Sequence, residues 1–268
     1  MNNKIEFPSS PTESTPARVD PRTDANEKLW WDQWNLTYRS QDDGGDVPNE
    51  LFERTAAVVE RNSPAGRVLE IACGAGAMSR RMKFSSYHGL DISPAAIEVA
   101  RKKFRELGAG AANSVATYEA ADFHDWPLPT EPFDVVLCVD AIAYFRDQAF
   151  ALKRMAQSLR PGGALVLTTI NPFVYDRIQR TTDRPLREGS ISHWLSRGEL
   201  HGLVNSAGLA IERSYTIMPR GTLGFLRVVN SRSLNHLFGQ SAARLLKRAK
   251  ELAGLGQYRC IVARKPAA

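Results

Sequence analysis

Glu70, Ala72, Gly74 and Gly76 alternate along one short stretch that begins within an apolar run at residues 67–72 and continues past its end. Glycines at such a turn let the backbone approach a ligand closely. A helix opening behind them adds free N–H groups and a partial positive charge. Asp91 follows 21 residues after Glu70, within a second strand-like run. In doubly wound α/β folds an acidic residue there reaches the ribose hydroxyls of a bound ligand. A dinucleotide fingerprint would read Gly-x-Gly-x-x-Gly. Counted from Gly74, its last glycine falls on Ser79, so the turn is built for something else.

The elements that must position these residues can be read from the hydrophobic pattern. Short apolar or alternating runs predict strands at 67–72, 87–93, 115–122, within 133–145, and at 164–171, 209–218 and 256–265. Helical patterns lie between them. One opens at the Gly-rich turn. Another follows Ser93, an N-cap residue type, with Pro94 at the first helical position. A third spans 148–163 and is stopped by Pro161, Gly162 and Gly163; a fourth runs from the N-cap Ser196 to Gly208. An amphipathic helix at 50–62 precedes them, with Pro48 and Asn49 leading in. Regular alternation of strand and helix predicts a parallel sheet covered on both faces.

Residues 1–24 are rich in Pro, Ser, Thr and Asp and predict a disordered tail, with a single domain over 25–268. Trp31, Trp34 and Tyr38 recur at helical spacing on one face. Segments near 172–195 and 219–255 interrupt the alternation and read as lids. The chain has 268 residues, 43% hydrophobic and 24% charged, which suits a globular protein with a sizeable core. Cys73, Cys138 and Cys260 are far apart, which argues against a zinc ribbon or disulfide scaffold. No apolar run approaches the roughly 20 residues needed to span a bilayer. The N-terminus has no apolar secretory segment, so the expected location is cytoplasmic. The net charge is +6, but residues 172–268 hold 16 Lys and Arg against 6 Asp and Glu. That basic third is either a solvated surface or a lobe facing an anion.

The run Glu70-x-Ala72-x-Gly74-x-Gly76, with Asp91 closing the next strand, resembles the first motif of class I S-adenosylmethionine-dependent methyltransferases. That motif is an acidic residue followed by three alternating glycines, and Ala72 stands for the first of them. The resemblance runs from about Trp31 to the C-terminus and is strongest over 67–171. It implies a doubly wound, mostly parallel, seven-stranded α/β sheet with helical lid insertions, ending in an antiparallel strand. It also implies S-adenosylmethionine as cofactor, cradled by Glu70, Ala72, Gly74 and Gly76. Asp91 would hold both ribose hydroxyls, with Ile92 beside it. Asp122 would accept from the adenine amine and Phe123 pack on the ring. Val139 and Asp140 would sit beside the sulfonium, and Tyr38 or Arg39 near the methionine end.

Methyl transfer from a sulfonium needs alignment and exclusion of water more than activation. A base helps where the acceptor is a hydroxyl. Candidates near the strand ends are Asp140, Tyr144 and His193, with Asn171 as an orienting group. His193 titrates in the useful range. Asp140 and Asn171 are too few for a metal site. The nucleic-acid amine motif, Asp or Asn before Pro-Pro-Tyr, is absent after the fourth strand, where Val139-Asp140-Ala141-Ile142 stands. The reading is methyl transfer to a small organic acceptor, O-methylation favoured and nucleic acid disfavoured. The arginines Arg177, Arg180, Arg184, Arg187, Arg220 and Arg227 suit an anionic acceptor or a solvated lid. Two rivals stand beside this reading: an RNA or protein methyltransferase, and a cofactor-binding regulatory protein without turnover. Nothing in the pattern specifies an oligomeric state.

Overall fold

Val135, Val136, Leu137 and Cys138 are completely buried, and the strand that carries them is the centre of the molecule. In the computed structural model, which describes residues 31–32, 46–63, 65–106, 115–174, 194–218 and 244–267, they lie on β4. The seven strands are β1 (Arg67–Ile71), β2 (Ser86–Asp91), β3 (Val115–Ala120), β4 (Phe133–Val139), β5 (Leu159–Ile170), β6 (Ala210–Ile217) and β7 (Tyr258–Arg264). They form one sheet in the order β3-β2-β1-β4-β5-β7-β6. The first five pair in parallel, and β7 runs antiparallel between β5 and β6. This is the doubly wound, mostly parallel α/β sheet expected from the sequence. The strand order reverses between β1 and β4, where such folds bind ligands outside the carboxyl ends of the strands.

The longer helices among the described residues are α1 (Asp46–Asn62), α2 (Pro94–Glu106), α3 (Gln148–Ser158), α4 (Arg197–Ser206) and α5 (residues 244–252). Period-two alternation sends the strand side chains to opposite faces. On one face Leu69, Ile71, Val136 and Cys138 pack with Leu152 and Met155 of α3 and Leu200 and Val204 of α4. On the other, Val68, Val135, Leu137 and Val166 pack with Leu51 and Val59 of α1 and Ile97 and Ala100 of α2. Each of the Val, Leu, Ile and Met side chains among them contributes roughly 1.5–3 kcal/mol on burial, so the two cores fix the sheet edge on which the site depends.

Three boundaries differ from the sequence pattern. Helix α1 begins at Asp46, four residues early, because Pro48 falls in the first turn, where no backbone donor is required of it. Helix α3 ends at Ser158 instead of at Gly163, and β5 starts at Leu159. There Lys265 N–H donates to the Gly163 carbonyl at 2.9 Å and Gly162 N–H to the Lys265 carbonyl at 3.0 Å, which recruits the Pro-Gly-Gly stop into the sheet. The helix expected at the Gly-rich turn is a run of turns over residues 74–81. Side chains take the carbonyls a helix would use: Ser79 Oγ and Arg80 Nε donate to Gly76, and Arg81 Nη1 to Ala77. Such local bonds compete with helical pairing. Of the expected lids, residues 175–193 and 219–243 lie outside the described residues, as does the 1–24 tail. Helix α5, within the second expected lid, is tied to α1: Glu251 takes both Arg54 nitrogens, and Lys247 meets Glu50 at 2.6 Å.

Candidate active site

Two hydrogen bonds hold the Gly-rich turn against the end of β2, and a third, local to that strand end, fixes the carboxylate that makes one of them. Cys73 N–H donates to the Leu90 carbonyl at 2.8 Å. Gly74 N–H donates to Asp91 Oδ2 at 2.8 Å, and Ser93 N–H to Asp91 Oδ1 at 3.0 Å. Asp91 is 8% exposed. The turn needs left-handed backbone at Ala72 (φ 58°), Gly74 (φ 52°) and Gly76 (φ 70°). Gly76 also has no room: a Cβ there would meet Ala100 Cβ at 3.0 Å and Tyr118 Cε1 at 3.2 Å. Ala72 adopts the same backbone with a side chain, at a cost of roughly 1–2 kcal/mol. That explains why a glycine is the usual residue at its place in the motif.

At the carboxyl ends of the strands the buried pattern is broken by a ring of part-exposed residues. Ala72 follows β1, Ile92 follows β2, Asp122 follows β3, and Asp140 and Tyr144 follow β4. Asp140 has φ 52°, and its N–H donates to the Thr168 carbonyl at 2.8 Å, which locks the end of β4 to β5. Val139 beside it is buried. The edge thus brings together Ala72, Gly74, Gly76, Asp91, Ile92, Asp122, Val139, Asp140 and Tyr144. Tyr38 and His193 lie outside the described residues.

Two expected ligand groups are already engaged by the protein. Glu70 is 2% exposed and its carboxylate accepts the hydroxyl of Tyr87. Burial, with Glu70 beside it, pushes the Tyr87 pKa well up, so the phenol stays a donor. Asp122 accepts from His124 N–H at 2.8 Å and His124 Nδ1 at 3.1 Å, and from Arg146 at 2.7 Å. The hydrogen bond from His124 is the main force holding the Asp122 pKa below its ordinary value. Phe123 is 4% exposed and its ring lies in the core, near Trp126 and edge-on to Phe145.

The N-terminal segment reaches this edge from outside the sheet. Asp32 Oδ1 accepts the Ser93 hydroxyl at 2.6 Å and the Ala95 N–H at 3.2 Å, at the N-terminus of α2. A carboxylate is favoured there by the helix dipole. Trp31, the preceding residue, stands edge-on to Tyr144 with ring centroids 5.1 Å apart. One dipeptide therefore spans from the end of β2 to the end of β4, across the switch point. Sequence reasoning took Trp31 for one residue of a packing face and passed over Asp32, His124 and Arg146. A lone acid or base carries no spacing signal.

A family profile described as a methyltransferase domain matches residues 44–214, more than half of the chain. The chain belongs to this methyltransferase family. The fold and the motif at Glu70–Gly76 mark it as class I and S-adenosylmethionine-dependent. Among curated relatives, the phthiotriol/phenolphthiotriol dimycocerosates methyltransferase of Mycobacterium leprae is 28% identical over 54% of this chain and 57% of its own length. The mitochondrial ubiquinone biosynthesis O-methyltransferase of Schizosaccharomyces pombe is 32% identical over 58% of this chain and 56% of its own. The chain thus matches about half the length of these relatives. A chain in the complex between the Haloferax volcanii Trm112 methyltransferase activator and a methyltransferase has the same fold. It is 17% identical, with a TM-score of 0.59 over 90% of this chain and 98% of the other. No helix among the described residues of this methyltransferase-family chain is long and apolar enough to cross a membrane.

Proposed function

We propose that this protein transfers the methyl group of S-adenosylmethionine to a small organic acceptor, with oxygen as the favoured atom. The observation that carries the reading is the turn at Ala72–Gly76, bound through Gly74 to the carboxylate of Asp91 at the topological switch point. The donor set fits the cofactor. Asp91 would offer its carboxylate to a ribose diol, and the left-handed turn would let the backbone approach the ligand closely. Asp122, Ile92 and Ala72 line the same edge, and Trp31 and Asp32 close it from outside. When bound, the cofactor supplies a methyl group on an activated sulfonium.

The chain then has three tasks. It orients the acceptor at the end of β4, where Asp140 and Tyr144 are part-exposed. It excludes water from the edge. It takes up the proton that an acceptor hydroxyl loses as its oxygen gains the methyl group; Asp140 is the candidate at the strand end, and His193 the alternative. The relatives named for ubiquinone biosynthesis are O-methyltransferases, which favours oxygen as the accepting atom.

The test is incubation of the protein and a metabolite extract with cofactor carrying an isotopic methyl label, followed by mass spectrometry. A labelled small molecule that is absent without protein is expected. Label found only in RNA or protein would replace the acceptor class. Cofactor binding with no labelled product of any kind would make the chain a binding protein.

A further inference from the structure

Strand β7 carries a guanidinium into the protein, and no acid pairs with it among the described residues. Arg259 pairs in register with Thr169 of β5 and Thr216 of β6. Its neighbours Cys260 and Val262 join the core beside α1 and α2, and Ile261 and Ala263 the core beside α3 and α4. Alternation puts Arg259 on the α3–α4 side. It is 8% exposed. Its hydrogen bond among the described residues runs from Nη2 to Asn171 Oδ1 at 3.4 Å, beyond the usual range for a strong bond. Its Nε is buried and has no hydrogen-bond partner among the described residues.

The charges around it make the position worse. Burial, then the like charge of Arg197, push the Arg259 pKa down. His201 is pushed down by burial and then by both arginines, so a third basic group faces the same place. Arg197 is the first residue of α4, whose N-terminus adds positive potential. The acid in that turn, Glu199, accepts the N–H of Ser196 at 2.8 Å. Arg264, further along β7, shows the ordinary arrangement: both its Nε and Nη2 reach Glu212, at 2.8 and 3.0 Å. Buried charges are normally paired in this way.

Asn171 explains why Arg259 stays where it is. Its amide nitrogen donates to the carbonyls of Gly254 at 3.0 Å and Gly256 at 2.8 Å, so its oxygen is left turned to Arg259. Asn171 was expected to orient a reacting group; in the fold it orients this guanidinium. The location is the carboxyl end of β5. Asp140 N–H bonds the Thr168 carbonyl on one side of that strand, and Arg259 pairs with Thr169 on the other. Two strand spacings, about 10 Å, separate the lines of β4 and β7, which is the span of a small molecule.

We propose that Arg259, supported by Arg197, binds an anionic group of the acceptor, a carboxylate or a phosphate. A forked guanidinium suits either through paired hydrogen bonds. The inference rests on the reading that the acceptor lies at the ends of β4 and β5.

The test titrates wild type, Arg259→Met and Arg259→Lys with inorganic phosphate and with benzoate, at constant ionic strength set by chloride. Calorimetry and thermal unfolding are both recorded. Wild type should bind at least one anion and melt higher in its presence. Arg259→Met should melt higher than wild type in chloride, because a buried unpaired charge is gone, yet bind the anion at least tenfold more weakly. Arg259→Lys keeps the charge without the fork and should bind several-fold more weakly. A response to phosphate alone or to benzoate alone assigns the group. Equal anion affinity in wild type and both variants, or no response in wild type, overturns the proposal. Binding of S-adenosylhomocysteine is measured on the same samples. If wild type binds it without any anion response, only the anion subsite fails; if wild type does not bind it, the methyltransferase reading fails instead.

Discussion

Asp91 at the end of β2 accepts the backbone N–H of Gly74 at 2.8 Å, so the residue expected to hold the ligand also holds the turn that cradles it. The two roles predict a compound phenotype. Asp91→Ala should weaken S-adenosylhomocysteine binding at least tenfold, since each charge-assisted hydrogen bond is worth roughly 1.5–3 kcal/mol. It should also lower stability, because the Gly74 and Ser93 N–H groups lose their acceptor. Calorimetric titration and denaturant unfolding separate the effects. An unchanged dissociation constant would remove Asp91 from the cofactor site.

Gly76 and Gly208 both adopt left-handed backbone, at φ 70° and 82°, but only Gly76 is crowded. Gly76→Ala should cost roughly 2–4 kcal/mol, backbone strain plus overpacking against Ala100 and Tyr118. Gly208→Ala, which faces open space, should cost about 1–2 kcal/mol, the strain alone. Equal losses in urea unfolding would mean that the packing behind the turn is soft.

Trp31 and Asp32 bridge the two ends of the site, which separates them from the polar segment before them. Truncation to Thr23 should leave turnover intact. Truncation past Tyr38 should weaken cofactor binding and lower stability, because Ser93, Ala95 and Tyr144 lose their partners. Asp32→Ala alone removes a carboxylate at a helix N-terminus, worth about 0.3–1 kcal/mol. Equal activity in both truncations would rule out a closing role.

The Asp122–His124 pair should show in a pH titration. The hydrogen bond to Asp122 raises the His124 pKa above its ordinary 6.5, and the same bond lowers that of Asp122. A raised histidine stabilises the fold fully below its unfolded value, and the contribution fades as pH rises through the folded pKa. A lowered carboxylate stabilises above its unfolded value and loses this as pH falls through its folded pKa. The pair is therefore most favourable from mildly acidic to near-neutral pH. Histidine proton shifts followed by NMR should place the His124 midpoint above 6.5, and Asp122→Asn should bring it down. A midpoint unmoved by that change would mean the bond does not form in solution.

Asp140 and His193 compete for the proton of a hydroxyl acceptor. The true base, changed to Asn or Ala respectively, should lower turnover roughly 10²–10⁴-fold with cofactor affinity kept. Asp140 also follows β4 in left-handed backbone, so Asp140→Asn is the gentler probe; asparagine tolerates that conformation. Loss of cofactor affinity together with rate would mark the residue as structural.

The strands, the crossing helices, the turn at Glu70–Gly76 and the acid at Asp91 were legible from sequence because each rests on local rules. Alternation fixes strand faces, glycine marks left-handed backbone, and Ser93 before Pro94 starts a helix, as Ser93 Oγ accepting Ala96 N–H at 3.1 Å bears out. Tertiary structure decided which polar groups met. Glu70 turned to Tyr87, Asp122 to His124 and Arg146, and Asp32 to Ser93, across separations of 17, 24 and 61 residues for the side-chain partners most distant in sequence. Helix formation behind the Gly-rich turn was decided the same way, by side chains of Ser79, Arg80 and Arg81 taking carbonyls that periodicity assigned to the backbone. Arg259 is the sharpest case. In sequence it is one more arginine in a basic third; in the fold, β7 slots antiparallel between β5 and β6 and carries that charge inside. Periodicity tells which face a residue takes, but the presence of an opposite charge on that face depends on strands and helices far away in the chain.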